Sequence, residues 1–97
     1  MRVLIIEDDT VIANAILRII NLDFKGEVAA SKAVSTVQEG IAALETFLPN
    51  IIIFDVRLPD GTGFDILNVL PADHIAVKVC ISGEPTNDIM NSPYAAS

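Results

Sequence analysis

The chain has 97 residues, 52% of them hydrophobic, and a formal net charge of −7. This is the size of one small domain with enough apolar material for a core. The acidic balance disfavours direct binding to nucleic acid or to an anionic membrane. We expect neither a signal peptide nor a transmembrane span. The single cysteine, Cys80, cannot form an intrachain disulfide, which fits a reducing cytoplasm, and its apolar neighbours predict a buried, inert thiol.

The first half of the chain predicts two strands and two helices. Residues 3–6 are typical of a buried strand, and Asp9 or Thr10 can cap the helix that follows and ends near residues 21–25. A second, weaker strand is predicted over 27–31. Ser35 or Thr36 opens the second helix, because each has Gln or Glu three residues later. The apolar residues at helical spacing are Ile12, Ala15, Ile16, Ile19 and Ile20 in the first helix, and Val37, Ile41, Leu44 and Leu48 as the buried stripe of the second.

The second half is organised around residues 51–63, which read IIIFDVRLPDGTG. Four bulky apolar residues run into Asp55, and the chain then turns at a proline and two glycines. Such an apolar run suits a strand that is covered on both faces, as in a parallel sheet. A short third helix over 64–70, ended by Pro71, and a fourth strand over 75–81, leading into Ser82, complete the pattern.

Strands that alternate with helices predict an α/β protein with a doubly wound parallel sheet and helices on both faces. Because crossovers between parallel strands are almost always right-handed, the carboxyl ends of all strands lie at one edge of the sheet. Glu7 and Asp8, Asp55, and Ser82 therefore meet at that edge, which is where open α/β sheets bind ligands.

Carboxylates gathered at one edge repel one another, and a hard divalent cation such as Mg²⁺ removes that penalty. Asp55 could then act as a nucleophile toward phosphorus, with Ser82 donating a hydrogen bond to a phosphoryl oxygen. Simpler interpretations remain open at this point. Acids 7–9 would also be favourable at a helix N-terminus, Asp55 could merely end a strand, and Ser82 could be a turn residue before Gly83.

Three segments of the chain resemble the receiver domain of bacterial two-component response regulators: IIEDD (5–9), IIIFDVRLPDGTG (51–63) and VCISG (79–83). The resemblance covers essentially the whole chain, and it implies one flavodoxin-like domain over 1–97 with strand order 2-1-3-4. It also implies that Asp55 accepts a phosphoryl group from a sensor histidine kinase or a phosphotransfer protein in the cytoplasm. The protein would be a signalling switch that catalyses only its own phosphotransfer and dephosphorylation.

The resemblance further assigns roles to individual residues. Mg²⁺ would be bound by Asp8 directly, by Glu7 partly through water, by Asp55, and by the backbone carbonyl of Arg57. Ser82 matches the Ser/Thr switch position of the family. Gly83 stands where a small residue leaves room for the phosphoryl group. A downstream output domain is a further expectation.

The chain departs from the family at its C-terminal end. Receivers have five βα units and a lysine at the end of the fifth strand, whereas Lys25, Lys32 and Lys78 all precede Ser82. We therefore expect a domain that lacks the fifth βα unit, with its fourth strand at the edge of the sheet. An exposed apolar edge predicts self-association, which size-exclusion chromatography with light scattering would test.

Two other functions compete with this interpretation. A phosphatase of the haloacid dehalogenase type also uses an aspartate at a strand end, but it needs a second aspartate two positions later, where this chain has Arg57. The second alternative is a receiver-like binding scaffold that is not phosphorylated, because the C-terminal lysine and the last βα unit are absent.

Overall fold

The computed structural model describes residues 1–71 and 73–81. It contains six strands: β1 (Arg2–Ile6), β2 (Ala30–Val34), β3 (Ile51–Phe54), β4 (Arg57–Leu58), β5 (Gly61–Thr62) and β6 (Val77–Cys80). It contains three helices: α1 (Thr10–Asp23), α2 (Val37–Phe47) and α3 (Gly63–Leu67). Four strands form a parallel sheet in the order β2-β1-β3-β6, and β4 and β5 form a separate antiparallel pair. The predicted parallel sheet and its order are confirmed, while the small hairpin was not predicted.

The prediction of the second strand was wrong by three residues. The strand begins at Ala30 rather than Glu27, because residues 27 and 28 still belong to the turn that ends α1. Their backbone N–H groups both donate to the carbonyl of Phe24. The strand is then set by parallel pairing with β1, from Arg2 opposite Ala30 to Ile6 opposite Val34. Tertiary pairing therefore decides a boundary that the mild hydrophobicity of the segment does not mark.

The predicted helix starts are confirmed. The Asp9 carboxylate caps α1 by accepting from the N–H groups of Val11 and Ile12, and the Thr36 hydroxyl caps α2 by accepting from Glu39 N–H. The predicted buried stripes are only partly correct. Exposed residues of those stripes are Ile12, Ala15, Ile19 and Leu48. Leu48 is exposed because it is the C-cap of α2, in the left-handed region with φ of 51°.

The sheet divides the interior into two unequal parts. Side chains along a strand point alternately to its two faces. One face, covered by α2 and α3, holds the larger core, whose buried residues are Leu4, Ile6, Val34, Val37, Ala43, Leu44, Ile52, Phe54, Leu58, Ile66 and Leu67. The other face, covered by α1, has a smaller buried cluster of Val3, Ile5 and Ile20.

Strand β6 lies at the edge of the described sheet, paired with β3. Val77 and Val79 are 61% and 40% exposed, and Cys80 is exposed as well, so the prediction of a buried thiol was wrong. The reason is that an apolar run predicts a covered strand only when both its faces meet other elements. The prediction of a missing fifth βα unit concerns residues 82–97, which lie outside the described residues. Self-association through β6 stays a prediction.

None of the helices in the described ranges has both the length and the hydropathy needed to cross a membrane.

Candidate functional site

Three of the predicted site residues meet at the carboxyl edge of the sheet. The backbone N–H of Glu7, directly after β1, donates to the carbonyl of Val34 at the end of β2 (2.9 Å). The N–H of Asp55, directly after β3, donates to the carbonyl of Ile6 (2.9 Å). With both segments held in this way, carboxylate oxygens of Glu7, Asp8 and Asp55 lie within 4.8 Å of one another. The three side chains can thus surround one cation.

Asp9 does not belong to this cluster, because its carboxylate caps α1. Its carboxylate is 2.9 Å from the N–H of Val11 and 3.3 Å from that of Ile12, which fixes it at the N-terminus of α1. Its own N–H donates to Oε1 of Glu7 (3.2 Å). The structural interpretation of an acid at a helix start is therefore correct for Asp9. It does not account for Glu7 and Asp8, whose carboxylates face Asp55.

Glu7 is the most perturbed of these acids. Its side chain is only 4% exposed, and burial, together with a hydrogen bond to the Asp55 carboxyl, raises the pKa of Glu7 to about 7. The nearby charges of Asp55 and Asp8 act in the same direction, while the N–H of Asp9 opposes them. The raised pKa means that Glu7 holds a proton more tightly beside these acids, and a cation in the cluster would favour its ionised form instead. The site therefore favours either a proton or a metal ion.

The chain after Asp55 forms the β4–β5 hairpin, which sets the direction of the Arg57 carbonyl. The N–H of Gly63 donates to the carbonyl of Val56 (2.9 Å), so these two residues form a hydrogen-bonded pair. In an antiparallel ladder the next pair, Arg57 with Thr62, is then a non-hydrogen-bonded one. The Thr62 N–H accordingly donates to Oδ2 of Asp65 instead (3.0 Å). The Arg57 carbonyl thus faces away from β5.

A close backbone approach completes the edge of the site. Gly63 is buried, and a Cβ there would collide with the Asp55 carbonyl and come within 2.5 Å of Cδ2 of Phe54. Glycine is needed here for space, because Gly63 is not in the left-handed region. Ser82 lies outside the described residues. The residue before it, Ile81, donates its N–H to the carbonyl of Phe54 (3.0 Å), next to Asp55.

Sequence reasoning missed one contact near the site. Asp60 is an exposed residue of the loop after Asp55, but its carboxylate accepts from the N–H groups of Val37 (2.7 Å) and Gln38 (3.0 Å). These two hydrogen bonds lower the pKa of Asp60. No local pattern could have indicated them, because the partners lie 23 and 22 residues earlier in the chain.

Comparison with protein families identifies the family of this chain. The family described as the response regulator receiver domain matches residues 3–92, which is most of the chain. This chain belongs to the response regulator receiver domains. Receiver domains are signalling domains of bacterial two-component systems, and they bind Mg²⁺ at an acidic pocket such as the one formed here by Glu7, Asp8 and Asp55.

Individual relatives agree with this family. The protein-glutamate methylesterase/protein-glutamine glutaminase 2 of Paramagnetospirillum magneticum is 32% identical over 101 residues, covering 100% of this chain and 28% of that protein. The cell cycle response regulator CtrA of Brucella ovis is 33% identical over 81 residues, covering 84% of this chain and 33% of that protein. This chain therefore spans about a third or less of the length of these two relatives.

Solved structures show the same fold. The MaeR response regulator bound to beryllium trifluoride has a TM-score of 0.79 with this chain at 20% sequence identity, covering 100% of this chain and 79% of that one. At this identity the similarity is evidence for the fold alone.

Proposed function

We propose that this receiver domain accepts a phosphoryl group on Asp55 from a phosphohistidine and works as a Mg²⁺-dependent signalling switch. The observation that carries the proposal is the meeting of Glu7, Asp8 and Asp55 within 4.8 Å at the carboxyl edge of the sheet. A cluster of three acids costs the fold stability unless a cation occupies it. Asp55, which is half-buried, directly follows β3, a strand that pairs with β1 on one side and with β6 on the other.

The reaction is a transfer between two nucleophiles. A carboxylate oxygen of Asp55 forms a bond to phosphorus while the phosphorus–nitrogen bond of the phosphohistidine breaks, its electron pair staying on the imidazole. The product is an acyl phosphate on Asp55. Mg²⁺, held by Asp8, Glu7, Asp55 and the carbonyl of Arg57, would neutralise phosphoryl oxygens during the transfer. Its binding requires that Glu7 be ionised, because carboxylates bind metal ions in their deprotonated form.

Ser82 is proposed to report the phosphoryl group by donating a hydrogen bond to one of its oxygens. The role is supported by Ile81, the residue before Ser82, whose N–H donates a hydrogen bond to the carbonyl of Phe54 at the end of β3. The proposed donors are a sensor histidine kinase or a histidine phosphotransfer protein in the cytoplasm. An output domain is proposed as a further partner, since the matches cover only 28% and 33% of the two curated relatives.

Intact-mass measurement tests the transfer directly. The folded protein is incubated with acetyl phosphate and Mg²⁺, beside Asp55→Asn and the control Asp73→Asn, which changes an exposed aspartate just before β6. We expect a gain of one phosphoryl group in the wild type and in the control, and none in Asp55→Asn or when EDTA replaces Mg²⁺. No gain in a folded wild-type sample would support the alternative of a scaffold that is not phosphorylated.

A second measurement separates binding at the site from the chemistry of transfer. MaeR binds beryllium trifluoride, and the same reagent can be added to this chain while backbone amide signals are followed by NMR. We expect Mg²⁺-dependent shifts at residues 7–9, 55–57 and 63, and none in Asp55→Asn. Shifts that persist in Asp55→Asn would place the ligand elsewhere and contradict the role of Asp55.

A further inference from the structure

The N-terminus of α2 is held by two different parts of the chain. An α-helix leaves its first four N–H groups without partners in the helix. In α2, the N-cap Thr36 accepts the first helical hydrogen bond at its carbonyl, from Gly40 N–H, and its hydroxyl accepts from Glu39 N–H, one of the four unpartnered donors (both 3.0 Å). Two more of these donors, Val37 and Gln38, are bound by the Asp60 carboxylate. The helix start therefore fixes the loop that carries Asp60.

That loop is the tip of the β4–β5 hairpin. Pro59 and Asp60 join Leu58 to Gly61, and Pro59 has a restricted φ, so the tip has little freedom of its own. Gly61 brings the tip against α2. Its φ is +154°, and a Cβ there would lie 3.1 Å from Cγ2 of Val37 and 2.7 Å from Oδ2 of Asp65. The hairpin thus touches α2 through backbone and carboxylate.

The other end of the same hairpin adjoins the cation site. Arg57 stands two residues after Asp55 in β4, and its carbonyl faces away from β5 because Arg57 and Thr62 form a non-hydrogen-bonded pair. The direction of this carbonyl therefore depends on the orientation of the hairpin as a body. The hydrogen bond from Gly63 N–H to the Val56 carbonyl fixes the base of the hairpin. The hydrogen bonds from the start of α2 to the Asp60 carboxylate fix its tip.

We infer that Asp60 is a positioning residue for the cation site: by binding the start of α2 it holds the β4–β5 hairpin, and with it the direction of the Arg57 carbonyl. The inference rests on the proposed function, because it requires the Arg57 carbonyl to be a metal ligand. Groups that orient the ligands of a metal change its affinity without touching it. The hydrogen bonds to Val37 and Gln38 lower the pKa of Asp60, which fits this role, since an ionised carboxylate binds backbone N–H groups more strongly than a neutral one.

The simpler alternative is that Asp60 only stabilises α2. Thr36 offers a matched control, because Thr36→Ala removes a cap from the same helix end and leaves the hydrogen bonds of Asp60 to Val37 and Gln38 in place. Both substitutions would weaken the start of α2. Only the loss of Asp60 would release the tip of the hairpin.

The experiment measures Mg²⁺ affinity by NMR titration of backbone amides in the wild type, Asp60→Ala, Asp60→Asn and Thr36→Ala. We expect Asp60→Ala to weaken the affinity by about tenfold, as is typical when a supporting group of a metal site is lost. Asp60→Asn, which keeps one acceptor oxygen, should show a smaller loss, and Thr36→Ala should bind Mg²⁺ as the wild type does. Amide exchange at Val37 and Gln38 should be faster in Asp60→Ala.

The outcomes are distinguishable. A folded wild type that does not bind Mg²⁺ contradicts the proposed function itself. A wild type that binds Mg²⁺ while Asp60→Ala and Asp60→Asn bind equally well overturns the positioning role alone. Equal losses in Asp60→Ala and Thr36→Ala overturn it too, because the affinity would then follow the stability of α2. If Asp60→Ala does not fold, the comparison of Asp60→Asn with Thr36→Ala decides.

Discussion

The two faces of the sheet differ in how completely they are covered. On the face beneath α2 and α3, Leu4, Ile6, Ile52 and Phe54 are essentially inaccessible to solvent. On the face beneath α1, Ile51 and Ile53 are only half-buried, and a groove of about 380 Å³ runs between Ile20 and Phe24 of the α1 end and Val79 of β6. Among residues 1–71 and 73–81, the face beneath α2 and α3 therefore supplies most of the buried apolar side chains.

The acid cluster belongs to the less covered face. Strand side chains alternate, so Glu7 continues the row of Val3 and Ile5, and Asp55 continues the row of Ile51 and Ile53. Thr10, Ala13 and Asn14 of α1 line a second cavity, of about 250 Å³, beside Glu7. The difference teaches that stability and the candidate site are divided between the two faces of the same four strands.

Two adjacent isoleucines of β3 test most directly whether the two faces contribute differently to stability. Ile52 is 0% exposed on the α2 face, and Ile53 is half-buried on the α1 face. We expect Ile52→Ala to lower the free energy of unfolding by about 4 kcal/mol, and Ile53→Ala by about 2 kcal/mol, since burial of a truncated side chain sets the cost. Urea denaturation measures both. Should Ile52→Ala not fold, Ile52→Val and Ile53→Val give the same comparison, and equal costs on the two faces would contradict it.

Glu7 should make the stability of the metal-free protein depend on pH. Its pKa rises from 4.5 to about 7 on folding, so the folded state binds the extra proton between these values. This group's contribution is unchanged below about pH 4.5 and becomes unfavourable as pH rises to 7, by on the order of 3 kcal/mol.

Urea midpoints in EDTA, for the wild type and Glu7→Gln from pH 4.5 to 7.5, measure this effect. The wild type should lose stability relative to Glu7→Gln across the range, and Mg²⁺ should reduce the loss because it replaces the proton. A difference between the two proteins that does not change with pH would show that Glu7 is not perturbed.

Gly63 connects the α2 face to the site and should tolerate no side chain. Gly63→Ala would force a Cβ onto the Asp55 carbonyl and the ring of Phe54, and we expect a loss of about 1–3 kcal/mol together with weaker Mg²⁺ binding. Gly26→Ala is the matched control, because no atom lies within 4 Å of the added Cβ. Thermal unfolding should leave Gly26→Ala near the wild type, and an equal effect at both positions would argue against the close approach at Gly63.

The reactivity of the Cys80 thiol tests whether the edge strand β6 is exposed, and the test requires no substitution. Because this thiol is exposed on β6, it should react with a thiol reagent in the folded protein nearly as fast as in urea. A buried thiol would react only through unfolding, and much more slowly. Slow reaction of the native protein would mean that the exposed edge of β6 is covered in solution.

Much of the fold follows from local patterns. The apolar runs at 3–6 and 51–54, the caps at Asp9 and Thr36, and the order of strands and helices were predicted and are confirmed. The meeting of Glu7, Asp8 and Asp55 follows from the rule that parallel strands share one carboxyl edge. The roles given to these residues, to Arg57 and to Ser82 stay predictions.

What the sequence by itself determined is therefore the set of elements, their alternation, and which acids end the strands, because each depends on spacing within a few residues. The tertiary structure alone decided the pairing register of β2, the exposure of Cys80, the proton affinity of Glu7 and the binding of Asp60 to α2. The physical reason is the range of the interactions. Burial and hydrogen bonding between residues 20 or more positions apart depend on how the elements pack, and no local pattern encodes that packing.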